Sequence, residues 1–276
     1  MSTQPHVTFN DGRTIPQIGL GVWQTPNDVA VTAVEAALGA GYRHIDTAAV
    51  YQNEEGVGEG IRASGVARAD IFLTTKVWND DQGFESTLRA MDASLKRLGT
   101  DYVDLYLIHW PSAFRGKYVE TWKALVRLRE EGKARSIGVS NFEGDYIEQI
   151  IAATGVTPAL NQIQLHPRFQ QKTMRAKHER LGILTESWSP LGQGKLLEHP
   201  VLAAIAARHG KSVAQIIIRW HLDSGLVVIP KSVTPSRIVE NFDVFDFTLT
   251  DQDKAEITGL DASDGRLGSD PVTAKF

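Results

Sequence analysis

The sequence contains no cysteine. Disulfides, thiolate metal centres and a cysteine nucleophile are therefore excluded, and a cysteine-free chain is consistent with a cytoplasmic setting. Long apolar runs are also missing. None approaches the roughly 18 residues of a membrane span. The opening MSTQPHVTFNDG lacks a basic start followed by an apolar stretch, so no secretory signal is expected. Positive charge is not in excess either. The net charge is −4, which leaves no basic footprint for nucleic acid. No low-complexity linker divides the 276 residues. The expectation is one domain over residues 1–276, monomeric, engaging neither nucleic acid nor membrane.

What is present is alternation. Short apolar runs rich in Val, Ile and Leu predict eight strands: Ile18–Val22, Tyr42–Asp46, Phe72–Val77, Val103–His109, Ser136–Ser140, Ala159–Gln162, Ile183–Ser187 and Leu226–Pro230. Helical stripes lie between them. Phe84, Leu88, Met91, Leu95 and Leu98 step by four and three, as do Val213, Ile216, Ile217 and Trp220. Ser212 with Gln215 reads as a capping box, and Thr234-Pro235 as an N-cap and first helical residue. Strand–helix alternation means a parallel sheet. Eight units in a chain near the ~250 residues of one (β/α)₈ barrel favour a closed TIM barrel. Before its first strand, His6–Pro16 with Asn10-Asp11-Gly12 reads as a β-hairpin closing the bottom.

In such a barrel the chemistry lies at the C-terminal ends of the strands. Reading strand by strand gives Asp46, Lys76, His109, Ser140 with Asn141, Gln162, Trp188, and Lys231 with Ser232. Asp46 is the one strand-end carboxylate on this reading, whereas glycoside hydrolysis needs two. His44 and Asp46 share a strand face, but Lys76, Gln162 and Trp188 are poor company for a metal, so none is expected. No GxSxG elbow exists. Lys76 as a Schiff-base lysine remains the rival reading.

Asp46, Tyr51, Lys76 and His109 make chemical sense together. A tyrosine with a pKa of about 10 is a poor acid at neutral pH. A nearby ammonium lowers that value, and a carboxylate keeps the ammonium charged and placed. Tyr51 then becomes a usable proton donor, and His109 can donate a hydrogen bond to a carbonyl oxygen. A Schiff-base lysine would instead be neutral and free of a carboxylate. Taken singly, each residue has an ordinary structural reading as a cap, an ion pair or packing; the combination carries the argument.

At these residues the chain resembles the aldo-keto reductases. Gly41-Tyr42-Arg43-His44-Ile45-Asp46-Thr47-Ala48, Tyr51 and Asn53-Glu54-Glu55-Gly56-Val57-Gly58 are similar to the family's first signature. Ser136-Ile137-Gly138-Val139-Ser140-Asn141-Phe142 is similar to the second, and Ile229-Pro230-Lys231-Ser232 with Arg237 and Glu240-Asn241 to the third. The resemblance implies a catalytic tetrad of Asp46, Tyr51, Lys76 and His109, with NADPH as cofactor and a small carbonyl compound as substrate. It implies that Ser140, Asn141 and Gln162 hold the nicotinamide carboxamide, that Trp188 stacks on the ring, and that Leu191, Gln193 and Gly194 lie over the pyrophosphate. Lys231, Ser232, Val233, Thr234 and Arg237 match the pocket for the adenosine 2′-phosphate; Glu240 and Asn241 match adenine contacts. The GxGxxG fingerprint is absent, and this family does not use it.

Within the family the chain is most similar to the bacterial 2,5-diketo-D-gluconate reductase group, on Thr75–Asp80, Glu186–Gly194 and Arg219–Leu222. That implies reduction of varied aldehydes, ketones, keto acids and ketoesters. Trp23, Trp78 and Trp110 fall beside the tetrad and are expected, with His109, to line the substrate pocket. The loop after His109 and the tail beyond Asp261 are short, which predicts an open site. Two other readings stand beside this one: an NADPH-sensing protein without catalysis, and a lyase using Lys76.

Overall fold

Asn10, Asp11 and Gly12 turn the chain between β1 (His6–Thr8) and β2 (Thr14–Pro16), which pair antiparallel. Gly12 takes φ 84°, a left-handed conformation that costs glycine no Cβ clash. The computed structural model describes residues 4–276; the first three residues of the opening stretch read above lie outside the described residues.

Eight parallel strands follow: β3 (Leu20–Gly21), β4 (His44–Asp46), β5 (Phe72–Val77), β6 (Val103–Ile108), β7 (Ala134–Ser140), β8 (Leu160–Gln164), β9 (Leu184–Trp188) and β10 (Val227–Val228). They are hydrogen-bonded in chain order. Parallel bridges from Ile18 to Val228 and from Gly21 to Lys231 join the two ends and close the barrel. All eight expected strands are present. β3 and β10 are shorter than expected because the closing seam is interrupted. Gly21 donates to the Pro230 carbonyl at 3.3 Å, but Pro230 has no N–H to continue the ladder. β4 begins at His44 rather than Tyr42, whose N–H is held by Ala37 at the preceding helix end.

Among the described residues ten helices surround the sheet: α1 (Asn27–Ala40), α2 (Glu54–Ala63), α3 (Phe84–Leu98), α4 (Tyr118–Glu130), α5 (Tyr146–Thr154), α6 (Lys172–Leu181), α7 (Pro200–His209), α8 (Val213–Asp223), α9 (Pro235–Phe242) and α10 (Asp251–Thr258). In α3 the stripe is real: Met91, Leu95 and Leu98 are buried, and Phe84 and Leu88 half-buried. Fully burying one such side chain stabilises by about 1.5–3 kcal/mol. The Ser212–Gln215 capping box opens α8, with reciprocal bonds of 3.3 and 2.9 Å. No single helix among the described residues is long and apolar enough to cross a membrane.

The barrel interior changes character from bottom to top. Alternation places Phe72, Thr74 and Lys76 of β5 on one face, and Leu160, Gln162 and Gln164 of β8. At the bottom, Phe9 and Ile15 of the hairpin pack with Leu105, Leu107, Leu160 and Val227. Asn10 and Asp11 tie the hairpin to Pro158 and Ser136. Above this apolar plug come His44, Thr74 and Glu186, and above them Asp46, Lys76 and Gln162. The upper end of the barrel is therefore the polar one.

Candidate active site

The loop from Asp46 to α2 is built to place Tyr51. Thr47 Oγ1 donates to Asn53 Oδ1 at 2.7 Å, and Asn53 Nδ2 donates to the Val22 and Thr25 carbonyls at 2.8 and 3.0 Å. Both side chains are buried. Gly56 lets α2 touch α1: a Cβ there would lie 1.9 Å from the Asn27 carbonyl oxygen. These residues of the first signature thus serve the fold, and they leave Tyr51 on a short turn, Ala49–Tyr51, at the barrel mouth.

Beneath Tyr51 lies a buried ion pair. Lys76 Nζ donates to Asp46 Oδ1 at 2.6 Å and to the Thr47 carbonyl at 2.8 Å. The ammonium is 5.3 Å from the centre of the Tyr51 ring. Burial favours the neutral amine of Lys76, but Asp46 and Tyr51 outweigh it and hold the pKa above its ordinary value. Burial pushes Asp46 up, against the pull of Lys76 and of the Gln162 amide, which donates to Oδ2 at 2.8 Å. Two close donors on one carboxylate favour its ionised form.

Across the mouth, the His109 ring stands 5.6 Å from that of Tyr51 at 77°. Burial, aided by Lys76, lowers the His109 pKa far enough to keep the imidazole neutral. Tyr51 itself is pushed up to about 12, by burial first, with Lys76 lowering it and Asp46 raising it. The expected depression by Lys76 is present, but burial exceeds it, because an enclosed phenol gains nothing from solvating its phenolate.

Two cavities meet above the strands. One, of about 500 Å³, is lined by Asp46, Tyr51, His109, Ser140, Asn141, Gln162 and Trp188, with Trp23, Trp78 and Trp110 as aromatic walls. The other, of about 620 Å³, is lined by Leu191, Gln193, Gly194, Lys231, Ser232, Val233, Thr234, Arg237, Glu240 and Asn241. They share Trp23, Gln24, Ser189, Gln193 and Lys231. Every residue expected to act on substrate or cofactor lines one of them, except Lys76, which is fully buried behind Asp46. Trp188 donates its indole N–H to Asn141 Oδ1 at 2.9 Å, and Asn141 Nδ2 reaches the His109 carbonyl and Ser140 Oγ at 3.0 Å each. Gln24, Asn141, Ser189 and Gln193 all have φ between 50° and 61°. Such left-handed non-glycine backbone is costly and gathers where function demands it.

A model of the Aldo/keto reductase family matches residues 17–262. The chain belongs to the aldo/keto reductase family. It is 63% identical to a crystal structure of an aldo/keto reductase from Brucella melitensis, with a TM-score of 0.92 over 95% of this chain and 99% of that one. It is 51% identical to the methylglyoxal reductase DkgA of Escherichia coli over 98% of each chain. A mutant of Gox0644 solved in complex with NADPH is 53% identical, with a TM-score of 0.96 over the whole of both chains.

Two expectations about this reductase need correction. The site is not left open by its short tail. Gln164 Oε1 accepts the N–H groups of Leu267 and Gly268 at 3.0 and 2.9 Å, which draws the tail over the mouth. Gly268, Ser269 and Phe276 then line the cleft, and the Phe276 ring stacks on Trp78 at 6.1 Å and meets Trp110 edge-on at 5.1 Å. Asp46 is also not the single carboxyl near the strand ends. Glu186 lies on β9, fully buried, and its Oε2 accepts from Gln162 Nε2 at 2.6 Å. It has the alternation signal of a strand, two residues before Trp188 and on the same face. The two carboxyls grip one amide rather than flank an open cleft, so the glycosidase arrangement stays excluded.

Proposed function

We propose that this reductase converts small aldehydes and ketones to alcohols, with NADPH as hydride donor, Tyr51 as proton donor, and methylglyoxal-like α-ketoaldehydes among its substrates. The charged Lys76 on Asp46, 5.3 Å below the Tyr51 ring and with neutral His109 across the mouth, carries this reading. A neutral imidazole offers one N–H, which His109 directs at the substrate oxygen and which polarises the carbonyl. Tyr51 supplies the proton that completes the alcohol, and Lys76 stabilises the phenolate left behind.

The residues suit a phosphorylated dinucleotide. NADPH, when bound, supplies the hydride. The Thr234 side chain makes no cap bond to α9, so the first N–H groups of that helix stay free for an anion. Lys231 and Arg237 stand exposed beside them. Gly194, at φ 87° with nothing near a would-be Cβ, permits close backbone approach. Trp188 is held edge-on by Asn141, which leaves a face for an aromatic ring.

The substrate breadth rests on the tryptophan-lined cavity and on the activity named for the Escherichia coli relative. The test is NADPH consumption with methylglyoxal, 2,5-diketo-D-gluconate and a ketoester. Turnover of the aldehyde, lost in Tyr51→Phe, is expected. No turnover of any carbonyl compound would return the NADPH-sensing reading.

A further inference from the structure

Glu186 has no part in the reaction described above, yet it occupies the centre of the barrel. Its side chain has no exposure. Oε2 accepts from Gln162 Nε2 at 2.6 Å, and the same nitrogen donates to Asp46 Oδ2 at 2.8 Å. Two carboxyl groups therefore share one amide. Oε1 has no hydrogen-bond partner among the described residues; His44 Nε2 lies 3.7 Å from it.

Charge counting decides the state of this cluster. Among the described residues, Lys76 is the only lysine or arginine in the buried interior. Asp46 already takes it at 2.6 Å. The other groups facing Glu186 bring no positive charge. His44 is kept neutral by burial, its pKa lowered to about 3; Gln162 and Thr74 are uncharged. A second carboxylate here would stand unpaired, with one oxygen bare, in a place where an unpaired charge takes up a proton instead.

We propose that Glu186 is a positioning residue of this reductase: it holds its proton at neutral pH, clamps Gln162 against Asp46, and weakens Tyr51 as an acid when it ionises. The inference rests on the reductase reading above. Burial, with Asp46 adding to it, raises Glu186 to about 8, so the ionisation falls close to neutral pH. The charge then reaches the tetrad along the shared amide. It draws Lys76 toward two carboxylates, and Glu186 acts on Tyr51 in the direction that raises its pKa.

Two measurements test this. Infrared spectra of wild type minus Glu186→Gln, without cofactor, are expected to contain a protonated-carboxyl carbonyl band at neutral pH that fades as pH rises through about 8. Glutamine keeps the acceptor toward Gln162 and a donor toward His44 but cannot ionise. In wild type, kcat for NADPH-dependent reduction of methylglyoxal is expected to fall through the same range by roughly three- to tenfold, the Brønsted response of a weakened general acid. In Glu186→Gln that fall is expected to vanish, whereas Glu186→Leu, which releases Gln162, is expected to lower kcat at neutral pH. Absence of the band at neutral pH, or an unchanged alkaline fall in Glu186→Gln, would overturn the proposal. Tyr51→Phe run in parallel separates the failures: if it keeps full turnover the proton-donor reading is wrong, whatever the band shows.

Discussion

Lys76 Nζ lies 2.6 Å from Asp46 Oδ1, and the two side chains are 0% and 2% exposed. Neither charge has water to fall back on. Breaking such a pair from one side leaves the other charge uncompensated and costs about 3–5 kcal/mol. Lys76→Met is therefore expected to lower both the urea midpoint and kcat. Adding Asp46→Asn is expected to restore much of the stability and none of the turnover. The pairing also bears on the lyase alternative, since an amine held charged by Asp46 is a poor Schiff-base nucleophile. A covalent lysine adduct trapped by borohydride with substrate would reverse that conclusion.

Tyr51 is on a turn rather than a strand, and its ring faces His109. Tyr51→Phe removes the hydroxyl and leaves the ring packing intact. Reduction is expected to fall by about 10²–10⁴-fold, the usual contribution of a general acid. NADPH affinity, read by fluorescence titration, is expected to stay near that of wild type. Normal turnover would mean that another group delivers the proton.

The site was legible in the sequence wherever a polar residue ended an apolar run. Asp46, Lys76, His109 and Gln162 all do so, and all converge on one cavity or just behind it. Glu186 escaped that rule because the strand expected from the sequence runs on to Ser187 and has Trp188 as its strand-end residue, which leaves Glu186 inside the run, whereas the preceding strand was expected to end at Gln162. Its strand-face partnership with Trp188 was the available signal, but a lone glutamate in a strand has no sequence mark of burial. Phe276 and Gly268 were illegible for a different reason. The tail has no helical or strand period, and its path over the mouth is set by hydrogen bonds to Gln164, far away in sequence. Likewise, burial of Tyr51 outweighs the pull of Lys76, and burial is a property of the assembled barrel.

Acid is expected to unfold this protein early. Burial lowers His44 to about 3 and His166, His178 and His221 to about 4, from an ordinary 6.5. In each case the unfolded chain binds the proton first. The stabilisation is complete above about 6.5 and is lost as pH falls from there toward about 4. Each histidine costs up to about 1.4 kcal/mol per pH unit in that window. Glu186, raised to about 8, acts in the opposite sense, because the native state binds its proton first as pH falls. Asp46, also raised, acts with Glu186, and His109, also lowered, acts with the other rings; two carboxyls against five imidazoles do not reverse the sign. Urea midpoints across the window are expected to decline steadily with acid; a flat profile would mean that these rings protonate without unfolding.

Cofactor choice is the sharpest test of the second cavity. NADPH and NADH differ only in the adenosine 2′-phosphate, so any preference must come from groups around that phosphate. Arg237 lies in the first turn of α9 and lines the cavity with Lys231, Ser232 and Thr234. It makes no ion pair with Glu240, which lines the same cavity, so its guanidinium is available to a ligand. An arginine can meet a phosphate with two parallel hydrogen bonds, which a lysine cannot. Charge-assisted contacts of this kind contribute roughly 1.5–3 kcal/mol. Arg237→Ala is therefore expected to weaken NADPH binding about tenfold or more and to leave NADH binding unchanged. Tetrad chemistry is more remote, so kcat at saturating NADPH is expected to stay near that of wild type. Quenching of tryptophan fluorescence gives both dissociation constants, with Trp23 in the shared wall of the two cavities. Equal weakening of both cofactors would assign Arg237 to the fold or to the adenine instead, and would move the phosphate pocket elsewhere.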